Sequence, residues 1–144
     1  PNQVIKVYSS WNKKTTKTRA DNQGNWIVKI DTNSDQNKHQ LIISTNSESK
    51  VINNVLLGEV WFGSGQSNMQ MTFDGYINEP IFGSQDIIGK ANNNKIRLLT
   101  VERKFSDKKL KEFGGSWKIS NPQNVRNFSA AAYSFASYIH ETSI

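Results

Sequence analysis

The segment that most constrains this chain is Val55-Leu56-Leu57-Gly58-Glu59-Val60-Trp61-Phe62, followed at once by Gly63-Ser64-Gly65. A short, almost continuous apolar run ending in glycine has the pattern of a buried strand of a parallel sheet. In open α/β sheets the ground beyond the carboxyl end of such a strand is where ligands sit. Glu59 breaks the run. A carboxylate buried there without compensation is costly, so it must lie at an edge or be paired. Ile96-Arg97-Leu98-Leu99-Thr100-Val101 reads as a second buried strand. Trp117-Lys118-Ile119 reads as a short strand ahead of Asn121-Pro122. Ser129 to Ile144 forms a helical pattern, with Ala131, Ala132, Phe135, Ala136, Tyr138 and Ile139 as its apolar stripe and Ser129 as its cap.

The first fifty residues have a different texture. Val4 to Tyr8, Trp26 to Ile30 and Leu41 to Thr45 have strand composition, and Val51-Ile52 adds a shorter stretch. Asp21-Asn22-Gln23-Gly24-Asn25 and Asn46 to Lys50 are turn signals. Such short spacing predicts antiparallel strands of an accessory sheet or sandwich over residues 1–53. Residues 54–144 then open an α/β domain. A chain of 144 residues is expected to hold one domain or part of one, not two full ones. Pro1 in place of Met, and an apolar helical pattern running to the end, fit a piece of a longer protein.

Composition removes several function classes. No Cys is present, which excludes a disulfide framework, thiolate-bound zinc and a thiol nucleophile. His39 and His140 are the only histidines, too few for a His-rich metal site. No run of 18 apolar residues exists to make a membrane-spanning helix. The net charge is +6. Its densest runs are Lys13, Lys14, Lys17 and Arg19, then Arg103, Lys104, Lys108, Lys109 and Lys111. Both lie among Ser, Thr, Asp and Glu instead of an aromatic stacking platform, so a nucleic-acid partner is not expected. No phosphate-binding glycine loop occurs. Asn127-Phe128-Ser129 matches a glycosylation acceptor at a helix start. Trp11, Trp26, Trp61 and Trp117 could stack on sugars, but strand and core packing is the expected use of each.

Chemistry concentrates in Gly63-Ser64-Gly65-Gln66-Ser67-Asn68-Met69. A serine in a tight turn after a strand presents its hydroxyl with backbone N–H groups beside it. Acyl transfer needs that pairing of a nucleophile and donors for the oxygen that gains charge. The glycine elbow of α/β-hydrolases does not fit, since Met69 occupies its second glycine position.

The block Gly58-Glu59-Val60-Trp61-Phe62-Gly63-Ser64-Gly65-Gln66-Ser67-Asn68-Met69 resembles the nucleophile block of the sialate O-acetylesterase family, a branch of the SGNH hydrolases akin to bacterial acetylxylan esterases. Ala20-Asp21 with Gly24 and Trp26, Ile96-Arg97-Leu98, and Trp117 with Phe128-Ser129-Ala130 and Phe135-Ala136 resemble further family segments. Gly63 stands where many members have Cys. The resemblance implies a three-layer, flavodoxin-like SGNH domain and a serine hydrolase that removes acetyl groups from sialic acid or other glycan hydroxyls. It implies Ser67 as nucleophile and one oxyanion donor through its own N–H, with Gln66 and Asn68 supporting the turn. It implies no metal or organic cofactor, an acetylated carbohydrate as partner, and a periplasmic or extracellular setting.

The remaining oxyanion groups and the base of that family lie in blocks downstream of Ile144, so the piece alone is expected to be inactive. His140 and His39 are weak substitutes for the base. Asp74 and Asp86 are candidates only for lining a sugar pocket. The rival reading is a non-catalytic carbohydrate-binding module, in which the tryptophans matter and Ser67 does not. An isolated piece is also expected to self-associate through an exposed sheet edge or apolar surface.

Overall fold

A computed structural model describes residues 2–142, and the chain divides into two compact units, Pro1–Val60 and Trp61–Ile144. The first unit is an antiparallel sheet. Its strands are β1 (Val4–Ser9), β2 (Lys14–Arg19), β3 (His39–Ser44) and β4 (Ser49–Val55), in the order β2-β1-β3-β4. Along β1, Ile5, Val7 and Ser9 are buried while Val4, Lys6 and Tyr8 are half-buried, the period-two alternation of a strand with one covered face. The β1–β2 turn closes on Asn12, whose Oδ1 accepts from the Ser9 hydroxyl at 2.5 Å and from the Lys14 N–H at 3.0 Å. That side chain supplies the local bonds for which Asn is favoured in turns.

The strand expected at Trp26–Ile30 does not form. Both lateral positions beside β1 are filled, by β2 on one side and β3 on the other. The turn before it does form. Asp21 Oδ1 accepts from the N–H groups of Gln23 and Asn25, each at 2.8 Å. The chain then runs on without strand pairing, with Trp26 and Ile27 exposed.

The second unit contains α1 (Ser67–Gln70), α2 (Ser84–Gly89), β5 (Asn93–Leu98), β6 (Lys118–Ser120), α3 (Pro122–Arg126) and α4 (Ala130–Thr142). Strands β5 and β6 pair antiparallel. The core joins Phe73, Ile88, Ala91, Ile96, Leu98, Val125, Ala130 and Tyr133. Phe73 meets Tyr133 edge-on, with centroids 5.8 Å apart, a favoured aromatic geometry. The Tyr133 hydroxyl shares a hydrogen bond with Ser120 Oγ at 3.1 Å, and Ser120 donates to the Ala91 carbonyl at 2.7 Å. These bonds satisfy polar groups that burial would otherwise penalise. Asn121 caps α3 by accepting from the Asn124 N–H at 2.8 Å, with Pro122 at the first helical position. Ser129 caps α4 as expected, its Oγ accepting from the Ala132 N–H at 3.2 Å.

The buried parallel strand expected at Val55–Phe62 is not formed. Only Val55 belongs to a strand, the end of β4, and residues 56–66 carry no regular structure. Val60 and Phe62 are 78% and 84% exposed, and Glu59 is exposed as well. A buried strand needs neighbours for its N–H and C=O groups. Among the described residues no strand pairs with this run, since β5 takes β6. The tryptophans depart from expectation for the same reason of missing cover: Trp26, Trp61 and Trp117 are 40–61% exposed.

Phe73 has about 1% of its surface exposed, whereas Phe105 is fully exposed. Phe73→Ala should therefore cost about 3–5 kcal/mol in denaturant unfolding, through lost transfer energy and the cavity left behind. Phe105→Ala should stay within about 0.5 kcal/mol. The Asp21 turn makes a separate prediction. Hydrogen bonds from Asn25, then those from Gln23 and Gly24, hold the Asp21 carboxyl below its ordinary value. A depressed folded pKa stabilises the fold above the unfolded value and loses that contribution as pH falls through the folded one. Asp21→Asn should therefore lower stability above about pH 4, where the charged carboxylate contributes, and flatten the acid side of the thermal-stability profile below it.

Candidate active site

Ser67 is the first residue of α1, a single helical turn. Gln66 precedes it as the N-cap, and its backbone carbonyl accepts from the Gln70 N–H at 3.0 Å. The Ser67 carbonyl accepts from the Met71 N–H at 2.9 Å and from the Tyr76 hydroxyl at 3.0 Å. The first N–H groups of a helical turn have no partner within it, and among the described residues the Ser67 N–H has none outside it, so it is a donor available on the same residue as the hydroxyl. Ser67, Gln66 and Asn68 are all exposed. Among the described residues, the side chains of Gln66, Ser67 and Asn68 make no hydrogen bond, so the turn is held by other groups.

Those groups are mostly ones the sequence pattern did not single out. Met69 is the half-buried anchor of the turn. A Cβ on Gly65 would lie 3.1 Å from Met69 Cβ, and one on Gly63 would lie 3.4 Å from its sulfur. The two glycines thus let the incoming chain lie close against Met69. Ser129 donates its hydroxyl to Met69 Sδ at 3.5 Å. The Met71 carbonyl accepts from the Ala130 N–H at 2.9 Å, and Thr72 bridges to Ser129. The turn carrying Ser67 is therefore bonded by backbone and side chain to the start of α4. Trp61 packs edge-on against Phe135 of the same helix, with centroids 5.1 Å apart.

Tyr76 reaches Ser67 from a tight turn in which Tyr76 and Glu79 exchange backbone hydrogen bonds of 3.2 and 2.9 Å. Gly75 enters that turn with φ +73, and a Cβ there would run into the Glu79 carbonyl. Only glycine fits this position without strain. A tyrosine after glycine in a loop carries no sequence signal for such a role, which depends on where the loop folds back.

The other candidates lie elsewhere or are already engaged. Asp74 forms an ion pair with Arg126 at 2.6 Å, and Arg126 also donates to Gln85 Oε1 at 3.2 Å. The Asp74 carboxylate fastens the loop after α1 to α3. Asp86 is exposed in the first turn of α2. His140 lines an open depression of about 510 Å³ with Asn92, Asn93, Asn94, Ile119 and Asn121, and Ser67 is not part of it. His39, expected in a polar loop, begins β3 and is buried. Its Nδ1 meets Ser10 Oγ at 3.3 Å, and its Nε2 stands 3.5 Å from Asp35 Oδ2 without hydrogen-bond alignment. Among the described residues, no His, Asp or Glu is hydrogen-bonded to the Ser67 hydroxyl, and no group of three His, Asp or Glu side chains is placed to hold a metal.

Comparison with known proteins points to one family of enzymes. The chain is 30% identical over 111 residues to the sialate O-acetylesterase of Rattus norvegicus, and 32% identical over 99 residues to that of Mus musculus. These matches cover 72% and 63% of the chain. The chain is therefore similar to sialate O-acetylesterases over most of its own length. It spans about a fifth of the length of those relatives, 20% and 18% respectively. Its fold is similar to the crystal structure of a carbohydrate acetylesterase from Xanthomonas citri, with TM-score 0.85 and 26% identity, over all of this chain and 32% of that one. No protein-family profile matches the sequence.

Removing the Tyr76 hydroxyl should loosen the turn at Ser67. Tyr76→Phe is expected to lower stability by about 0.5–1.5 kcal/mol. It should also speed amide exchange at Gln70 and Met71, with exchange in β1 unchanged. Equal acceleration in both places would show global destabilisation instead.

Proposed function

We propose that this chain carries the nucleophile of a carbohydrate O-acetylesterase, and that the nucleophile is Ser67. The observation that carries the reading is the placement of Ser67 at the head of a one-turn helix, exposed and with its own N–H available, in a chain similar to sialate O-acetylesterases. The substrate class is an acetylated carbohydrate, sialic acid or another glycan bearing an O-acetyl group. The surroundings proposed for this site are those of an SGNH-type three-layer domain.

In the proposed reaction Ser67 Oγ attacks the acetyl carbonyl carbon while a base takes the hydroxyl proton. The carbonyl oxygen gains charge and accepts hydrogen bonds, one of them from the Ser67 N–H. A single such donor is worth about 3–4 kcal/mol in the transition state. The tetrahedral intermediate collapses by breaking the bond to the sugar oxygen, which leaves with the proton. Water then attacks the acetyl-enzyme, releases acetate and restores the serine. Gln66 and Asn68 flank the nucleophile; Gln66 closes the turn through its backbone carbonyl and Asn68 lies within α1.

Activation is the part of the reaction this chain does not supply by itself in the proposal. A serine hydroxyl without an adjacent base is a weak nucleophile at neutral pH. The 144-residue chain alone is thus expected to be inactive, its base and further oxyanion donors being provided by the remainder of an esterase of the relatives' length. An extracellular or periplasmic setting suits a glycan substrate. No helix among the described residues is long and apolar enough to cross a membrane.

A second reading, a carbohydrate-binding module without catalysis, draws on the exposure of Trp61 and Trp117, at 60% and 61%. The two readings separate in acetate release from an acetylated glycan by the full-length enzyme. The esterase reading predicts that Ser67→Ala lowers kcat by about a thousandfold or more, while Ser64→Ala leaves it within a few-fold. Unchanged turnover in Ser67→Ala would refute the nucleophile assignment.

A further inference from the structure

One face of the first unit's sheet holds cations and no anions. Directly paired residues share a face, so the register places Val4 with Arg19, Lys6 with Lys17 and Ser44, and Tyr8 with Thr15 and Ile42. Strand β4 adds Ser49 and Val51 to the same face. It is the less buried face, because the alternate residues Ile5, Val7 and Ser9 of β1 are the buried ones. Lys17 and Arg19 are exposed, and Lys6 and Tyr8 are half-buried.

Lys6 and Lys17 stand directly opposite one another on adjacent antiparallel strands. Residues so paired have Cα atoms about 4.5–5.5 Å apart, and like charges at this spacing destabilise a sheet. Arg19 follows Lys17 on the same face, about 6.7 Å further along the strand. Arg19 donates to the Asn2 carbonyl at 2.8 Å. Among the described residues, none of these three cations lies in an ion pair; the pairs present are His39–Asp35 and Arg126–Asp74. Salt bridges are thus formed elsewhere in the chain, while this row is left uncompensated. Thr15, Ser44 and Ser49 supply neutral hydroxyls around it, and Tyr8 supplies an aromatic surface with a polar tip.

We propose that this face binds a carboxylated polysaccharide. Carboxylates along an extended sugar chain would lie against Lys6, Lys17 and Arg19, relieving the cross-strand repulsion. Hydroxyls of the sugar would meet the Thr and Ser side chains, and a ring face would rest on Tyr8. A glycan is favoured over a nucleic acid because the face offers one half-buried aromatic ring, where strand binding uses successive exposed ones. This function is distinct from ester cleavage, needs no acetyl group on the polymer and does not rest on the role given to Ser67.

The test is affinity electrophoresis and titration calorimetry of the chain with unacetylated polygalacturonate, with dextran as neutral polymer and a single-stranded DNA oligonucleotide as rival polyanion. Polygalacturonate should retard the protein and dextran should not. The double variant K6Q/K17Q should bind about tenfold or more weakly, whereas K108Q/K109Q, which removes the same charge from an exposed segment of the second unit, should stay within about twofold. Lys17→Gln alone should melt no lower than the parent, because it removes a repulsion. Equal weakening by the two double variants would overturn the proposal in favour of diffuse charge. So would tighter binding of the oligonucleotide at the same ionic strength, or no retardation by polygalacturonate. A lower melting temperature for Lys17→Gln would overturn the premise that the pair is repulsive.

Discussion

The hydrogen bond from the Ala130 N–H to the Met71 carbonyl, 2.9 Å long, is the constraint on which the rest of the second unit's site depends. A single helical turn is unstable alone, since fixing it costs several dihedral angles for one bond. Here the turn from Ser67 to Gln70 is braced at both ends. Tyr76 and Met71 hold the Ser67 carbonyl, and Ala130 and Ser129 tie the exit of the turn to the head of α4. Helix α4 in turn is fixed by Ala130 and Tyr133 in the core against Phe73. The position of the Ser67 hydroxyl is thereby linked to buried aromatic packing, although the hydroxyl itself is exposed.

Much of this was legible in the sequence where local chemistry decides the outcome. The Ser129 cap and the helical spacing after it identified α4, but the face turned to the core is that of Ala130 and Tyr133, while Ala131, Phe135 and Tyr138 of the expected stripe are exposed. The strands at Val4, Leu41 and Ile96 lie in β1, β3 and β5, the last ending at Leu98 short of the expected Val101. The Asp21–Asn25 turn formed because its side-chain bonds are contained within five residues. Misreadings arose where pairing partners decide. Lys14–Arg19 reads as a basic run, yet its threonines suit a strand and β1 offers it an edge. Trp26–Ile30 has better strand composition and found no place beside β1. The apolar run after Val55 has the composition of a buried strand but is mostly exposed, because composition cannot state which neighbours are present.

At the site, the sequence pointed to the Ser67 segment through the resemblance of the whole Gly58–Met69 block to a family block, since a Gly/Ser/Asn turn after a strand is by itself a weak signal. It did not point to Tyr76, Met69 or Gly75, whose contributions are a hydroxyl delivered from a loop, a packing contact and a backbone angle. His39 shows the converse. It was read as a loop residue, but β3 begins two residues before Leu41, at His39, and the ring is enclosed by Ser10, Asp35 and Trp11.

The central claim, that Ser67 is a nucleophile whose activation comes from outside this chain, is tested most directly by a serine-reactive fluorophosphonate followed by intact mass and peptide mapping. The account predicts one adduct, on Ser67, in an esterase of the relatives' length. It predicts none on the 16.3 kDa chain alone. An adduct on a different serine of the longer enzyme would contradict the nucleophile assignment. An adduct on Ser67 of the short chain would contradict the activation claim and place a base within these 144 residues.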